Sequence, residues 1–179
     1  STDGSCALLK QYGARLRVIQ QANAGQSAAR NAGVEIAAGR FVAFLDQDDR
    51  WYPTKLAQQV AELTARPDVT MVHCNYDRMD GDGRVLVAGA ALVERASALA
   101  SPLGCLIEEA LVFPSALMVR RDVFRRVGGF DPELRGFEDF DLIGAAVVVT
   151  GIDHGLLLGH RRLVLLLRHA DRPDTTTVE

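Results

Sequence analysis

Three carboxylates, Asp46, Asp48 and Asp49, stand within four residues, directly after the apolar run Phe41-Val42-Ala43-Phe44-Leu45. Such a run, with no polar break, is expected of a strand buried on both faces of a parallel sheet. Ligands of open α/β sheets sit beyond the carboxyl ends of such strands, so the acids fall where a site is expected. Crowded carboxylates repel one another, and a hard divalent cation relieves that repulsion. Mg²⁺ is typically held by one or two carboxylates together with substrate phosphates, and Mn²⁺ suits the same oxygen ligands. A solvated acidic turn capping the helix that begins near Pro53 accounts for the same residues without chemistry. The position at the end of a buried strand is what weighs against that blander account.

A second acidic cluster is Glu138, Asp139 and Asp141, set among Phe137 and Phe140. A carboxylate in an aromatic-lined cleft can act as a general base, because partial burial raises its pKa. Acids are also common at helix starts, where they complement the macrodipole.

The elements that must position these clusters follow from pattern. Residues 1–5 read as a turn and cap before a short helix from about Cys6 to Tyr12. Leu16 to Ile19 reads as a short strand. Asn23 to Ser27 is a turn and cap, and Ser27 to Ala38 an alanine-rich helix closed by Gly39. Strand 41–45 follows, at the spacing of a parallel crossover. Pro53 opens a helix in which Leu56, Val60 and Leu63 recur at helical spacing, and Pro67 ends it. Val69 to Asn75 reads as a strand, and Tyr76 to Met79 and Arg84 to Val87 as a hairpin about Asp80-Gly81-Asp82-Gly83. Leu103 to Ala110 is read as a helix, Pro114 to Val119 as a strand, and Arg121 to Val127 as a helix ended by Gly128-Gly129.

The chain has 179 residues, 48% of them hydrophobic, and a formal charge of −3, which suits one soluble domain with a real core. No basic excess points to nucleic acid. Cys6, Cys74 and Cys105 are far apart and form no Cys-x-x-Cys, which speaks against a disulfide framework or a zinc site. A reducing cytoplasm is the default, and no signal peptide is read at the start. Asp153, His154, His160, Arg161 and Arg162 break the most apolar stretch, from Ile143 to Leu167, short of the roughly 18–20 apolar residues a spanning helix needs.

Taken in order, several motifs carry a resemblance. Ser1-Thr2-Asp3-Gly4 looks like the end of an Asp-Asp-Gly-Ser-Thr-Asp motif. Asn23-Ala24-Gly25, Ala28-Ala29-Arg30-Asn31-Ala32-Gly33, Phe44-Leu45-Asp46-Gln47-Asp48-Asp49, Val127-Gly128-Gly129-Phe130-Asp131 and Glu138-Asp139-Phe140-Asp141 follow. The series resembles the family-2 glycosyltransferases of the GT-A fold over residues 1 to about 142. The resemblance implies an α/β, Rossmann-like nucleotide-diphospho-sugar transferase fold with a mostly parallel sheet. It implies transfer of a sugar from a nucleotide-diphosphate donor to a saccharide, lipid-linked or protein acceptor, with inversion, assisted by Mn²⁺ or Mg²⁺. By similarity Asp48 is the direct metal ligand. Asp46 either shares the metal or faces the ribose or donor sugar. Asp3, Arg30 and Asp49 serve the donor. Asp139 is the base that takes the acceptor proton, and Glu138 supports it. Trp51 lines the donor pocket or packs near the core, and Phe130 shapes the acceptor side or is core. His73 reads as a core residue. His169 loosely matches a late Arg-x-His element that could supply a further metal ligand, whereas His154 and His160 match nothing. Association with the inner face of a membrane is compatible with this reading.

Two departures set further expectations. Relatives carry two strands and a helix ahead of the point matching Ser1. Those strands lie between the ones matching 16–19 and 41–45, so the sheet is expected to lack its first two strands. Strands 16–19 and 41–45 then pair directly, or 16–19 hangs at an edge. After Leu142 the pattern is lost. Residues 143–179 are either a diverged acceptor region of the same domain or a frame-shifted tail. A non-catalytic remnant of such a domain is the alternative from another class. A nucleotidyltransferase ranks below both, for want of a glycine-rich, lysine-bearing phosphate loop.

Overall fold

The computed structural model describes residues 3–74, 76–88, 113–134, 136 and 138–149. Helix α1 (Ser5–Lys10) is followed by a 3₁₀ turn at 13–15, and α2 spans Gly25–Ile36. Strand β1 (Phe41–Ala43) leads through the acidic loop to α3 (Lys55–Ala65) and β2 (Met71–His73). Strands β3 (Arg78–Met79) and β4 (Val85–Val87) form the expected hairpin. A 3₁₀ turn at 114–116 enters β5 (Leu117–Arg120), followed by α4 (Arg121–Arg126) and α5 (Glu138–Val149).

The main sheet of the described residues has the order β1-β5-β2. Both ladders are antiparallel, with Val42 opposite Val119 and Val72 opposite Met118. Strands β1 and β2 therefore run parallel to each other, as the crossover through α3 requires, and β5 inserts between them in the opposite sense. The mostly parallel sheet expected from sequence is corrected to that extent.

The sheet is covered on both faces, as the unbroken apolar run implied. Val42 and Phe44 join Val34, Leu117, Val119, Phe124, Phe130 and Leu142 in one core cluster. Phe41 and Ala43 pack on the opposite face, against Leu63, Val69, Val72 and Met118. Phe44, Phe124 and Phe130 meet with ring centroids 5.1–5.7 Å apart. Such contacts add about 0.5–1.5 kcal/mol per pair beyond area burial.

Three local expectations are corrected. Residues 16–19 form no strand; Leu16, Val18 and Ile19 are exposed in irregular backbone, so neither pairing with 41–45 occurs. An apolar tetrapeptide becomes a strand only where a neighbour supplies the ladder bonds. Helix α2 ends at Ile36, ahead of the expected Gly39 cap. The carbonyls of Ile36 and Ala37 instead accept bonds from the Arg17 and Arg121 guanidiniums. In α3 the buried face is Lys55, Gln59 and Leu63, while Leu56 and Val60 point outward. The helix expected at 103–110, His154, His160 and His169 lie outside the described residues.

Candidate active site

The inward face of α2 carries Ser27, Arg30, Asn31 and Val34, at the i, i+3, i+4, i+7 spacing of one helical stripe. Asn31 fixes this face to the segment after α4. Its Nδ2 donates to the Phe130 carbonyl at 2.8 Å, and its Oδ1 accepts the Phe130 N–H at 3.0 Å. The approach requires Gly129: its φ is +78°, and a Cβ there would lie 2.6 Å from Asn31 Oδ1. With Asn31 clamped, the Arg30 guanidinium sits over the Phe130 ring, 5.3 Å from its centroid. The Arg30-Asn31 and Gly129-Phe130 motifs are thus two halves of one contact.

Arg30 is the hub of the site. One guanidinium nitrogen donates to Asp46 Oδ1 at 2.8 Å, and the other to Glu138 Oε1 at 3.0 Å. Gln26, one turn earlier on α2, also donates to Glu138 Oε1. The acid at the end of β1 and the acid that opens α5 are therefore held by a single planar cation, whose fork suits such double pairing. Glu138 and Arg30 are largely buried, while the Asp46 side chain is 35% exposed. A charge-assisted pair shielded on one side and open on the other can accept a ligand without exposing the core.

Asp139 follows Glu138 and is half-buried. Burial is the main cause that raises its pKa above the ordinary carboxylate value. The Phe140 N–H, which donates to Asp139 Oδ1 at 3.0 Å, opposes that rise. The nearby Glu138 charge adds to it and Arg30 subtracts from it. A carboxyl so placed is suited to taking up a proton.

Beyond Asp46 the chain turns, with the Asp49 N–H donating to the Asp46 carbonyl at 3.2 Å. Asp48 and Asp49 are exposed, and neither has an ion pair among the described residues. Among those residues, no group of three or more His, Cys, Asp or Glu comes together as a cation cage. The donor set fits a cation held by one or two carboxylates and completed by phosphate oxygens. Beside the hub lies a cleft of about 580 Å³ between residues 23–27 at the start of α2 and Pro132, Leu134 and Gly136. Gln26, which donates to Glu138, lines it, and none of the acids does.

The structure thus brings Asp46, Arg30 and Glu138 together, with Asp139 and Asp48 one and two residues along the chain from them. It does not join Asp3 to them through any contact among the described residues. That carboxyl accepts the Ser5 N–H at 3.2 Å, in an exposed turn before α1. Phe130 is core, 1% exposed. His73 is core as expected, and burial pushes its pKa down to about 4. The half-buried Trp51 donates its indole N–H to the Ser115 carbonyl at 2.7 Å, with Lys55 Nζ 4.4 Å from its ring centroid. Sequence reasoning missed Gln26, Lys55, Gln59 and Ser115. The i, i+4, i+8 spacing of Lys55, Gln59 and Leu63 was a visible signal, but two polar residues do not read as a buried face. Ser115 has no local signal.

Known proteins resemble this chain in sequence and in fold. The family model described as glycosyl transferase family 2 matches residues 1–128. An uncharacterized glycosyltransferase of Nostoc sp. is 37% identical over 142 residues, covering 74% of this chain and 42% of that protein. The uncharacterized glycosyltransferase YibD of Escherichia coli is 41% identical over 80 residues, covering 43% of this chain and 23% of its own length. The chain therefore spans less than half the length of these relatives. A mannosyltransferase of Pyrobaculum calidifontis, solved in complex with GDP-Man and Mn²⁺, superposes with a TM-score of 0.61 at 20% identity, over 84% of this chain and 41% of its own. That likeness shows the GT-A fold, here in part. With the motif order and the Arg30 hub, the match to residues 1–128 establishes that the chain belongs to glycosyl transferase family 2.

Proposed function

We propose that the chain carries the donor and base residues of a glycosyltransferase that moves a sugar from a nucleotide-diphosphate donor to an acceptor hydroxyl, with inversion. The observation that supports this reading is the Arg30 bridge, which joins Asp46 after β1 to Glu138 at the start of α5. The complex of the Pyrobaculum mannosyltransferase with GDP-Man and Mn²⁺ supports a donor of that class and a divalent cation.

Asp48 and the free oxygen of Asp46 would hold Mn²⁺ or Mg²⁺, with Asp49, Arg30 and Asp3 on the donor side. When bound, the cation would neutralise charge on the departing diphosphate. Asp139 takes the acceptor proton as the acceptor oxygen forms a bond to the anomeric carbon. The bond from that carbon to the phosphate oxygen breaks, and its electron pair leaves with the diphosphate. One displacement from the opposite face inverts the centre. Glu138, tied to Gln26 and Arg30, orients the start of α5 and so the Asp139 carboxyl. Residues 1–142 would form the transferase domain, with 143–179 completing it. Helix α5 crosses that boundary without a break. The cleft beside Gln26 would admit a saccharide, lipid-linked or protein acceptor. No helix among the described residues is long and apolar enough to cross a membrane.

Calorimetry of GDP and UDP binding, with and without Mn²⁺, tests this reading. Saturable binding that needs the cation, and that Asp48→Ala weakens roughly 100-fold or more through loss of a charged ligand, is the expected result. Absence of binding to either nucleotide at millimolar concentration would instead identify a non-catalytic remnant.

A further inference from the structure

We propose that Ser115 and Trp51 are positioning residues that staple the acidic loop shut at both ends, so that Asp48 is presented already in place; the inference rests on the transferase reading above. Ser115 lies in the 3₁₀ turn before β5 and is 8% exposed. Its Oγ accepts the Asp46 N–H at 2.9 Å, and its carbonyl accepts the Trp51 indole N–H at 2.7 Å. One residue therefore holds the first acid of the loop and the residue that ends it. The β1–β5 ladder has already stopped at Ala43 opposite Met118, so the Ser115 hydroxyl substitutes for the next backbone acceptor.

The seat under the staple is itself fixed. The next carbonyl, that of Ala116, accepts the Gln59 side-chain N–H at 2.8 Å and the Cys74 N–H at 3.1 Å. Gln59 in turn accepts from Lys55 Nζ at 2.8 Å, and that ammonium lies over the Trp51 ring. Burying an amine and an amide under an acidic loop is costly unless they are bonded. Here both are, in series: Lys55 bonds Gln59, and Gln59 bonds the turn that carries Ser115. Between the staples Gln47, Asp48, Asp49 and Arg50 face solvent. Like charges would otherwise splay such a loop. Fixing its ends removes the ordering cost from the binding step.

The test compares Ser115→Ala, Ser115→Thr and Trp51→Phe in the full chain. Two readouts are used: amide hydrogen exchange at residues 45–51 without ligand, and titration with Mn²⁺ alone followed by the loss of the free-ion electron paramagnetic resonance signal. Loss of one buried hydrogen bond should speed exchange of the Asp46 amide roughly tenfold in Ser115→Ala. The Mn²⁺ half-saturation should rise by about the same factor, with little change in Tm. Ser115→Thr, which keeps the hydroxyl, should restore both. Trp51→Phe, which removes the indole N–H, should give a change of about threefold in the same direction. Should Ser115→Ala fail to fold, Trp51→Phe decides the matter alone. Unaltered exchange across 45–51 in the folded variants overturns the inference. So does faster exchange with an unaltered Mn²⁺ half-saturation, which would make the contacts structural only. If the wild-type chain takes up no Mn²⁺, the cation in the transferase reading is what fails. The exchange data then still decide whether Ser115 holds the loop.

Discussion

The acidic loop after β1 lies between two polar regions of opposite character. On one side Arg30 joins Asp46 and Glu138, charges that are paired yet partly open to solvent. On the other, Lys55, Gln59, His73 and Ser115 are buried, and the first two are bonded in series toward the turn before β5. The open side holds charges a substrate could engage. The buried side is closed to solvent, and its Lys55–Gln59 series of bonds ends on the turn that carries Ser115. The difference teaches that a site on a sheet edge needs a rigid polar scaffold as well as reactive groups, and that the scaffold can hide inside the core.

The contrast is broken most directly on the open side. Asp139→Asn should lower transfer by roughly 10²–10⁴-fold, the usual worth of a positioned base. Donor affinity measured by calorimetry should stay within about twofold. Collapse of donor binding in that variant would make Asp139 structural and move the chemistry elsewhere. Next in size is Arg30→Met. It leaves Glu138 buried and unpaired except for Gln26, a loss of about 3–5 kcal/mol for a shielded ion pair with one partner removed. Urea unfolding should show a loss of that size. A change under about 1 kcal/mol would mean that the bridge contributes little to holding α2 and α5 together.

How much of this was legible in the residues follows the same division. The Asp46-Gln47-Asp48 loop, Arg30-Asn31, Gly128-Gly129-Phe130 and Glu138-Asp139 stand out because charge and glycine carry local meaning: one marks a ligand, the other a tight approach. Their order named the fold, whereas the tie that Arg30 makes between Asp46 and Glu138 emerged only from the structure. The scaffold was hidden because apolar periodicity is the usual guide to a buried face. In α3 it selected Leu56 and Val60, which are exposed, over Lys55 and Gln59, which are buried. Strand 16–19 failed for a different reason. A ladder is a property of two segments, and no propensity within Leu16-Arg17-Val18-Ile19 reveals whether a neighbour is present. The antiparallel insertion of β5 was invisible for the same cause.

On the buried side the sharpest probe is His73. Burial, with a smaller contribution from the Lys55 charge, depresses its pKa from 6.5 to about 4. The unfolded chain therefore takes up a proton near pH 6.5 that the folded chain refuses until about pH 4. The associated stability is fully present above pH 6.5 and is lost as pH falls through that window, about 3 kcal/mol in all. His73→Phe removes the titrating group, and with it the buried Nδ1 that has no hydrogen-bond partner among the described residues. Relative to wild type, the variant should lose less stability between pH 6.5 and 4.5. Parallel curves for the two proteins would show that His73 is solvated, and the buried side less closed than described.

The smallest effect expected links the two acids of α5. Glu138→Gln keeps the shape of the side chain and removes its charge. The Glu138 charge is one of the causes that raise the Asp139 pKa, behind burial, and its removal also leaves Arg30 freer to favour the charged form of Asp139. Both changes lower that pKa, so the acid limb of the kcat/KM profile should move to lower pH. Burial, the largest cause of the rise, stays in place in the variant. A shift in the opposite direction would show that Glu138 acts on Asp139 through position, by letting α5 settle deeper against the core, and that its charge is spent on Arg30 alone.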